Sequence, residues 1–288
     1  MLPSNTGPRA IAASLSLTVH AVALAGAPDP VAVYPFNGDF SSLVPGAPDL
    51  TPVGEGGTSF QTQTFVGRTT GTWVAPIRNG LVLDTSGFLG GDAWTVGITF
   101  RYDGFLGGYR KILDTQNRTV DFGWYSFPGS PLGYFPTGSG PTPFFEEEVT
   151  VVIAVDGADA RGYLDGALEV TVSGRPEINI GIDGLIHFLL DDFPFNAEDA
   201  DATIAAIFVW DVALDDDAVA GLLPLPLMIE PCSPADQNMP FGIIDLADIN
   251  KFVTNFLGQE PPADIDDNGI FDLADIIAFV DGFGSGCP

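Results

Sequence analysis

Two stretches near the C-terminus, GIIDLADINKFVTNF (Gly242–Phe256) and GIFDLADIIAFVDGF (Gly269–Phe283), share ten of fifteen residues. The tripeptide PAD precedes each, at Pro234–Asp236 and Pro262–Asp264. A duplication like this means two copies of one small unit, each relying on its neighbour to cover its apolar side. In each copy apolar residues fall at i, i+3, i+4 and i+7: Ile249, Phe252, Val253 and Phe256, then Ile276, Phe279, Val280 and Phe283. That spacing predicts two short helices whose stripes pack together into a small core. Pro234, Pro261 and Pro262 stand where a preceding helix would run, so each unit reads as a loop followed by one helix.

The second loop is DIDDNGIFDLAD, Asp264–Asp275. Counted from Asp264, side-chain oxygens fall at positions 1, 3, 5, 9 and 12, on Asp264, Asp266, Asn268, Asp272 and Asp275. Gly269 takes position 6, where the chain must turn sharply, and Ile270 at position 7 offers its backbone carbonyl. Alternate residues of a curled loop can surround one hard cation with oxygens, so this is the spacing of an EF-hand calcium loop. Asp stands at position 12 in place of the usual Glu. The first copy keeps Asp236, Asn238, Asp245 and Asp248. It is one residue longer between its first Asp and its Gly, with Met239-Pro240-Phe241 in the middle, so its calcium site is expected to be weaker or absent.

Paired half EF-hands make Cys232–Pro288 resemble a type I dockerin. The closing Gly286-Cys287-Pro288 and the paired cysteines resemble the GC-type variant found at the ends of many secreted bacterial proteins. The resemblance implies a small helical module that binds Ca2+ and docks to a cohesin-like or other surface receptor. Cellulosomal members carry polar recognition residues at loop positions 10 and 11, but here those are Leu246–Ala247 and Leu273–Ala274. That departure points away from a standard cohesin and toward a different receptor or a surface-sorting role. Cys232 and Cys287 are the only cysteines. In an exported protein such a pair reads as a disulfide, here bracketing the module. Closing a loop of that size stabilises by about 4 kcal/mol on the chain-entropy model.

Export is itself an expectation from Met1–Ala25. Arg9 supplies a weak basic region, Ala10–Ala25 an apolar one, and Ala-Leu-Ala before Gly26 a small-residue cleavage site. No other stretch approaches the length of a membrane span, so the mature protein is expected to be secreted, extracellular and cell-surface associated. The 38 acidic residues outnumber the 10 basic ones, for a net charge of −28. Such a surface repels phosphate backbones and excludes nucleic acid as a partner, while it suits calcium and a salty medium. Pro224–Pro231 reads as a short stiff linker.

The large section, residues 28–223, is read as mainly β. With 35 Gly and 24 Pro the chain favours short strands and tight turns. Strand-like runs are VAVYPF (31–36), GLVLD (80–84), WTVGITFRY (94–102), RKILD (110–114), VTVVIAV (149–155), GLIHFLL (184–190) and TIAAIFVW (203–210). The one helical pattern here is DDDAVAGLL, 215–223. YPFNGDF (34–40), WTVGITFRYDG (94–104), VTVVIAVDGADARGYLDGALE (149–169) and ATIAAIFVWDVALDDDAVAGL (202–222) follow in an order that resembles a laminin G-like domain. The resemblance implies a concanavalin A-like jelly-roll β-sandwich, a fold that hosts lectins, adhesion domains and hydrolases alike.

Candidate chemistry in this section is sparse. His187 lies in an apolar strand and reads as structural, and no nucleophile motif accompanies it. Glu146–Glu148 are consecutive, so they cannot all face one cleft from a strand, and the E-x-D-x-E pattern of catalytic relatives is absent. Asp191, Asp192 and Glu198 form a candidate calcium site at the sandwich rim, the alternative being a solvated acidic loop. Trp124, Tyr125, Tyr134 and Phe135 lie among Gly and Pro. They are either an aromatic platform for a glycan or rings folded back over the core. The expected function is therefore non-catalytic binding of a carbohydrate or surface ligand by a tethered sandwich. The alternatives are a structural or adhesive protein and a divergent glycoside hydrolase.

Overall fold

The computed structural model describes residues 27–222, 233–237, 244 and 246–286, apart from 90–91, 105–106, 130, 145, 193–196 and 267. The signal segment, the linker, Cys232, Cys287, Asn238 and Asp245 lie outside the described residues. Residues that alternate between apolar and polar, or stay apolar throughout, give the central strands. They build two sheets whose pairings are all antiparallel. The first sheet runs β13 (Ala167–Val172), β12 (Asp159–Leu164), β11 (Val149–Asp156), β6 (Ala93–Tyr102), β15 (Ala202–Trp210), β4 (Arg68–Ala75), β3 (Ser59–Phe65). The short β1 (Ala32–Tyr34) also pairs with β15, beyond the stretch that β4 uses. The second runs β10 (Gly138–Pro143), β9 (Pro131–Phe135), β8 (Gly123–Ser126), β7 (Arg110–Asp114), β14 (Leu185–Phe188), β5 (Asn79–Asp84), β2 (Thr51–Gly54).

Between the sheets lies one core. Trp94, Val96, Ile98 and Phe100 of β6 alternate into it, as do Val149, Val151, Ile153 and Val155 of β11. All four tryptophans are buried, Trp73, Trp94 and Trp124 in this core and Trp210 on the far side of the first sheet. Each such ring contributes about 2–3 kcal/mol of burial. β15 is buried at every position because it serves two cores. Ile204 opposes Phe100 and Ala206 opposes Thr99, so Ala205 is an extra residue. This bulge resets the alternation, sending Ile207 and Val209 inward and Phe208 and Trp210 outward. The outward residues meet α1 (Asp216–Gly221), whose Val219 packs there with Leu222. Asp215 caps α1 by accepting from the Ala218 N–H at 2.8 Å.

The structure decides between the two readings of the aromatic stretch. The aromatic stretch after Asp121 is not a loop but strands β8, β9 and β10. Trp124 and Tyr134 join the interior and Tyr125 is buried on the opposite face, so none of the three offers a ring to solvent. Phe135 is half-buried, edge-on to Tyr109 at 5.7 Å. The hairpin β3–β4 was not legible, because much of β3 is exposed and its Gln and Thr residues give no apolar alternation.

In the C-terminal section, α2 (Leu246–Gly258) and α3 (Leu273–Ser285) bring Phe252 and Phe279 into a stack, ring centroids 4.1 Å apart. Buried Ala235 and Ala263 complete this small core, with Ile249, Phe256, Ile265, Phe271 and Phe283 packed around it. The expected stripes are narrower than four residues: Val253 and Val280 stay 47% and 58% exposed. Two crossing helices cover only the residues along their line of contact. No helix among the described residues is long and apolar enough to cross a membrane.

Candidate functional site

The loop before α3 gathers three carboxylates. Oxygens of Asp264, Asp266 and Asp275 lie within 4.8 Å of one another. The sequence explains why. Gly269 sits at φ +78°, a turn that costs other residues strain. The Asp264 carboxylate accepts from the N–H groups of Asn268 (3.0 Å) and Gly269 (2.7 Å), which curls the loop around it. Asp272 caps α3 through the Ala274 N–H, and Asp275 returns to the Asp272 N–H at 2.9 Å, a reciprocal capping box. The Asp275 carboxylate also accepts from Ile265 at 2.7 Å.

Asp275 has no exposed surface, yet its carboxyl is held below the usual range. The Asp272 N–H is the main cause; burial in this thinly packed module opposes it, and the Ile265 and Asp266 amides add to the lowering. Lys251 is the one basic residue between 232 and 288, and none of the described ion pairs involves these carboxylates. Three converging anions without a cationic side chain fit a hard divalent cation. Asp264, Asp266 and Asp275 would be its charged ligands. Asn268 and Asp272 are exposed and engaged locally, Asn268 Oδ1 accepting from the Ile270 N–H at 2.7 Å, and the Ile270 side chain faces solvent. In the first loop Asp236 and Asp248, at the corresponding first and last places, are each 1% exposed.

The sandwich carries a second acidic cluster, on the outer face of the second sheet. Lys111 of β7 points outward there, its ammonium 3.1 Å from Asp114 Oδ2, bonded to Asp192 Oδ1, and 5.1 Å from the centre of the Tyr125 ring. Burial lowers the Lys111 pKa, but Asp114 and Asp192 outweigh it and the net direction is up, so the ammonium stays charged. His187 faces Asp114 across the β14–β7 register, and burial pushes its pKa down. Beside this ledge opens a hollow of about 370 Å³ lined by Asp121, Asp191, Asp192, Glu198 and Val120. The Tyr125 hydroxyl donates to Asp121 Oδ1 at 3.0 Å. Burial, then the charges of Asp191 and Asp121, raise Glu198 to about 7.

The rim calcium expectation changes here. Asp191, Asp192 and Glu198 do not converge as a ligand set; among the described residues only Asp264, Asp266 and Asp275 do. Asp191 shapes its own loop, its Oδ2 accepting from the Glu198 N–H at 3.0 Å and its N–H donating to Asp199 Oδ1 at 2.7 Å. Asp192 is engaged by Lys111, whose ammonium already neutralises it. Sequence reading missed Lys111, Asp114 and Asp121. A lysine inside the strand run RKILD was the available signal, since a buried charge requires partners.

No family model matches this chain, and no curated protein matches it. Among solved structures it is similar to domain 4 of AbnA, an extracellular GH43 arabinanase from Geobacillus stearothermophilus, solved in complex with arabinotriose. The identity is 14% and the TM-score 0.53, over 67% of this chain and 97% of that domain. The binding domain of botulinum neurotoxin DC, solved with rat synaptotagmin II, matches at 13% identity and TM-score 0.46. That match covers 67% of this chain and 50% of that one. At these identities the first likeness shows the fold, an antiparallel β-sandwich, and the second adds no argument.

Proposed function

We propose that this is a secreted, non-catalytic protein. Its laminin G-like sandwich binds a carbohydrate or another surface ligand, and its C-terminal helix pair is a calcium-loaded GC-type dockerin that attaches it to a receptor. The observation that carries the proposal is the convergence of Asp264, Asp266 and Asp275 with none of the described ion pairs neutralising them. Ca2+ supplies that charge and couples loop closure to folding of the helix pair. The exposed apolar residues Leu246, Val253, Leu273 and Val280 recur at equivalent places on both helices and suit an apolar receptor surface. On the sandwich, the hollow beside Lys111 offers carboxylates that accept from sugar hydroxyls. The likeness to a domain crystallised with arabinotriose is compatible with that ligand class.

The test is a glycan array probed with the full chain in millimolar calcium and again in chelator, beside calcium titration of the same chain. Saturable glycan binding together with calcium uptake supports the reading. Calcium uptake without glycan binding moves the sandwich to a structural or adhesive role. A second reading rests on Glu198, a carboxyl raised to about 7 beside other carboxylates, which is the setting of a general acid. Hydrolysis of an oligosaccharide that disappears in Glu198→Gln would replace the binding role with a glycosidase.

A further inference from the structure

We propose that the open edge of the sandwich carries a second binding site, one that takes an uncharged sugar ring. This site is independent of the acidic hollow, lying on the other sheet. β3 is the outermost strand of the first sheet, and a hollow of about 350 Å³ lies between it and the turn Phe36–Gly38. Its wall includes Phe60, which sits opposite Trp73 in the β3–β4 register. Phe40 bridges the two rings, 4.9 Å from Phe60 and edge-on to Trp73 at 5.7 Å. Trp73 is 1% exposed, so a ladder of rings anchored in the core holds half-buried Phe60 in place at the surface. A fixed aromatic ring suits the apolar C–H face of a sugar.

The rest of the wall supplies neutral polar groups. Asn37, Gln61 and Thr62 line the hollow with Gly71. A Cβ at Gly71 would stand 2.2 Å from Asn37 Oδ1 and 2.8 Å from the Phe36 carbonyl, so only glycine lets this turn lie against β4. Phe36 itself holds φ +55°, a left-handed conformation that strains a bulky residue. That strain sits where Asn37 is aimed. No ionisable residue occurs from Gly56 to Gly67, in a chain of net charge −28. None of the residues that line the hollow is ionisable, and the Asp39 carboxylate beside the turn is engaged by the Ser41 N–H and hydroxyl. The Asn37 amide, the Thr62 hydroxyl and the Phe60 ring face match a neutral saccharide.

The experiment is NMR titration of the full ¹⁵N-labelled chain with arabinotriose, xylotriose and cellotriose, run in chelator. Saturable shifts of the Gly38 and Gly71 amides at millimolar concentration are expected with at least one of the three. Phe60→Ala should weaken that binding tenfold or more. Thr62→Ala, a change at an exposed side chain on the same face of β3 as Phe60, leaves the fold intact and should weaken it severalfold. Absence of shifts with all three sugars overturns the proposal. Shifts confined to the amides of Asp121, Asp191, Asp192 and Glu198 also overturn it, placing the sugar in the acidic hollow. Wild-type affinity in both variants overturns it as well.

Discussion

Among the described residues two clusters of acidic side chains stand out, and only one of them meets a cation within the fold. In the sandwich, Lys111 reaches Asp114 and Asp192 from the middle of β7, and all three side chains are largely hidden from solvent. In the C-terminal loop, Asp264, Asp266 and Asp275 converge in a segment whose single basic residue, Lys251, forms none of the described ion pairs. The lesson is that acid content alone does not mark a metal site. A cluster that finds its cation within the fold is part of the scaffold, while for one that does not the proposal here is a cation drawn from solution. The first is therefore expected to be indifferent to calcium and the second to depend on it.

The largest effect is expected from Asp264→Ala combined with Asp275→Ala. Calcium affinity should fall at least a hundredfold, and α3 should lose the Asp275 half of its capping box and its fold, read by isothermal titration and by helical circular dichroism. Unchanged affinity in this double variant would remove the loop assignment. Lys111→Met comes next. It strands the buried Asp114 carboxylate and should cost about 3–5 kcal/mol in chemical denaturation of the sandwich, with no change in calcium affinity. A calcium-dependent rescue of this variant would show that a metal can take the place of the ammonium.

The third prediction concerns pH. Glu198 is raised to about 7 in the folded protein from an unfolded value near 4.5. The folded state thus holds the proton more tightly, and this contribution is full below pH 4.5 and lost as pH rises through about 7. Glu198→Gln should flatten the fall in melting temperature between those limits. Asp275 works in the other sense, since its carboxyl is lowered, so its contribution is present above the ordinary carboxylate value and fades as pH falls through its folded value. The smallest effect is expected from Asn268→Ala. It removes one acceptor of the loop, the oxygen that takes the Ile270 N–H, and should weaken calcium severalfold without unfolding the helices.

What could be read in advance follows the range of the interactions. The acidic loop was legible because its carboxylates fall within twelve residues of a segment that repeats itself. β6, β11 and β15 were legible because burial writes apolar runs into them. β3 was not, because an exposed edge imposes no such pattern, and β4 beside it hides its burial behind threonines, Thr70 and Thr72, until Trp73. β8 and β9 were hidden by glycine and proline, and their aromatics resembled a loop until pairing turned Trp124 and Tyr134 inward. The acidic hollow was out of reach, since Asp121 and Glu198 come from distant segments that only the second sheet brings together. The bulge at Ala205 was equally invisible, because all its neighbours are apolar whichever face they take.

The most direct test is hydrogen exchange of the full chain measured with calcium and with chelator. The account predicts that calcium slows exchange at Ile265, Asn268, Gly269, Ile270 and Asp272, whose amides bond to the loop acids and Asn268, and leaves Lys111, Asp191 and Glu198 unchanged. Protection gained at Asp191 and Glu198, or none gained in the loop, would contradict it.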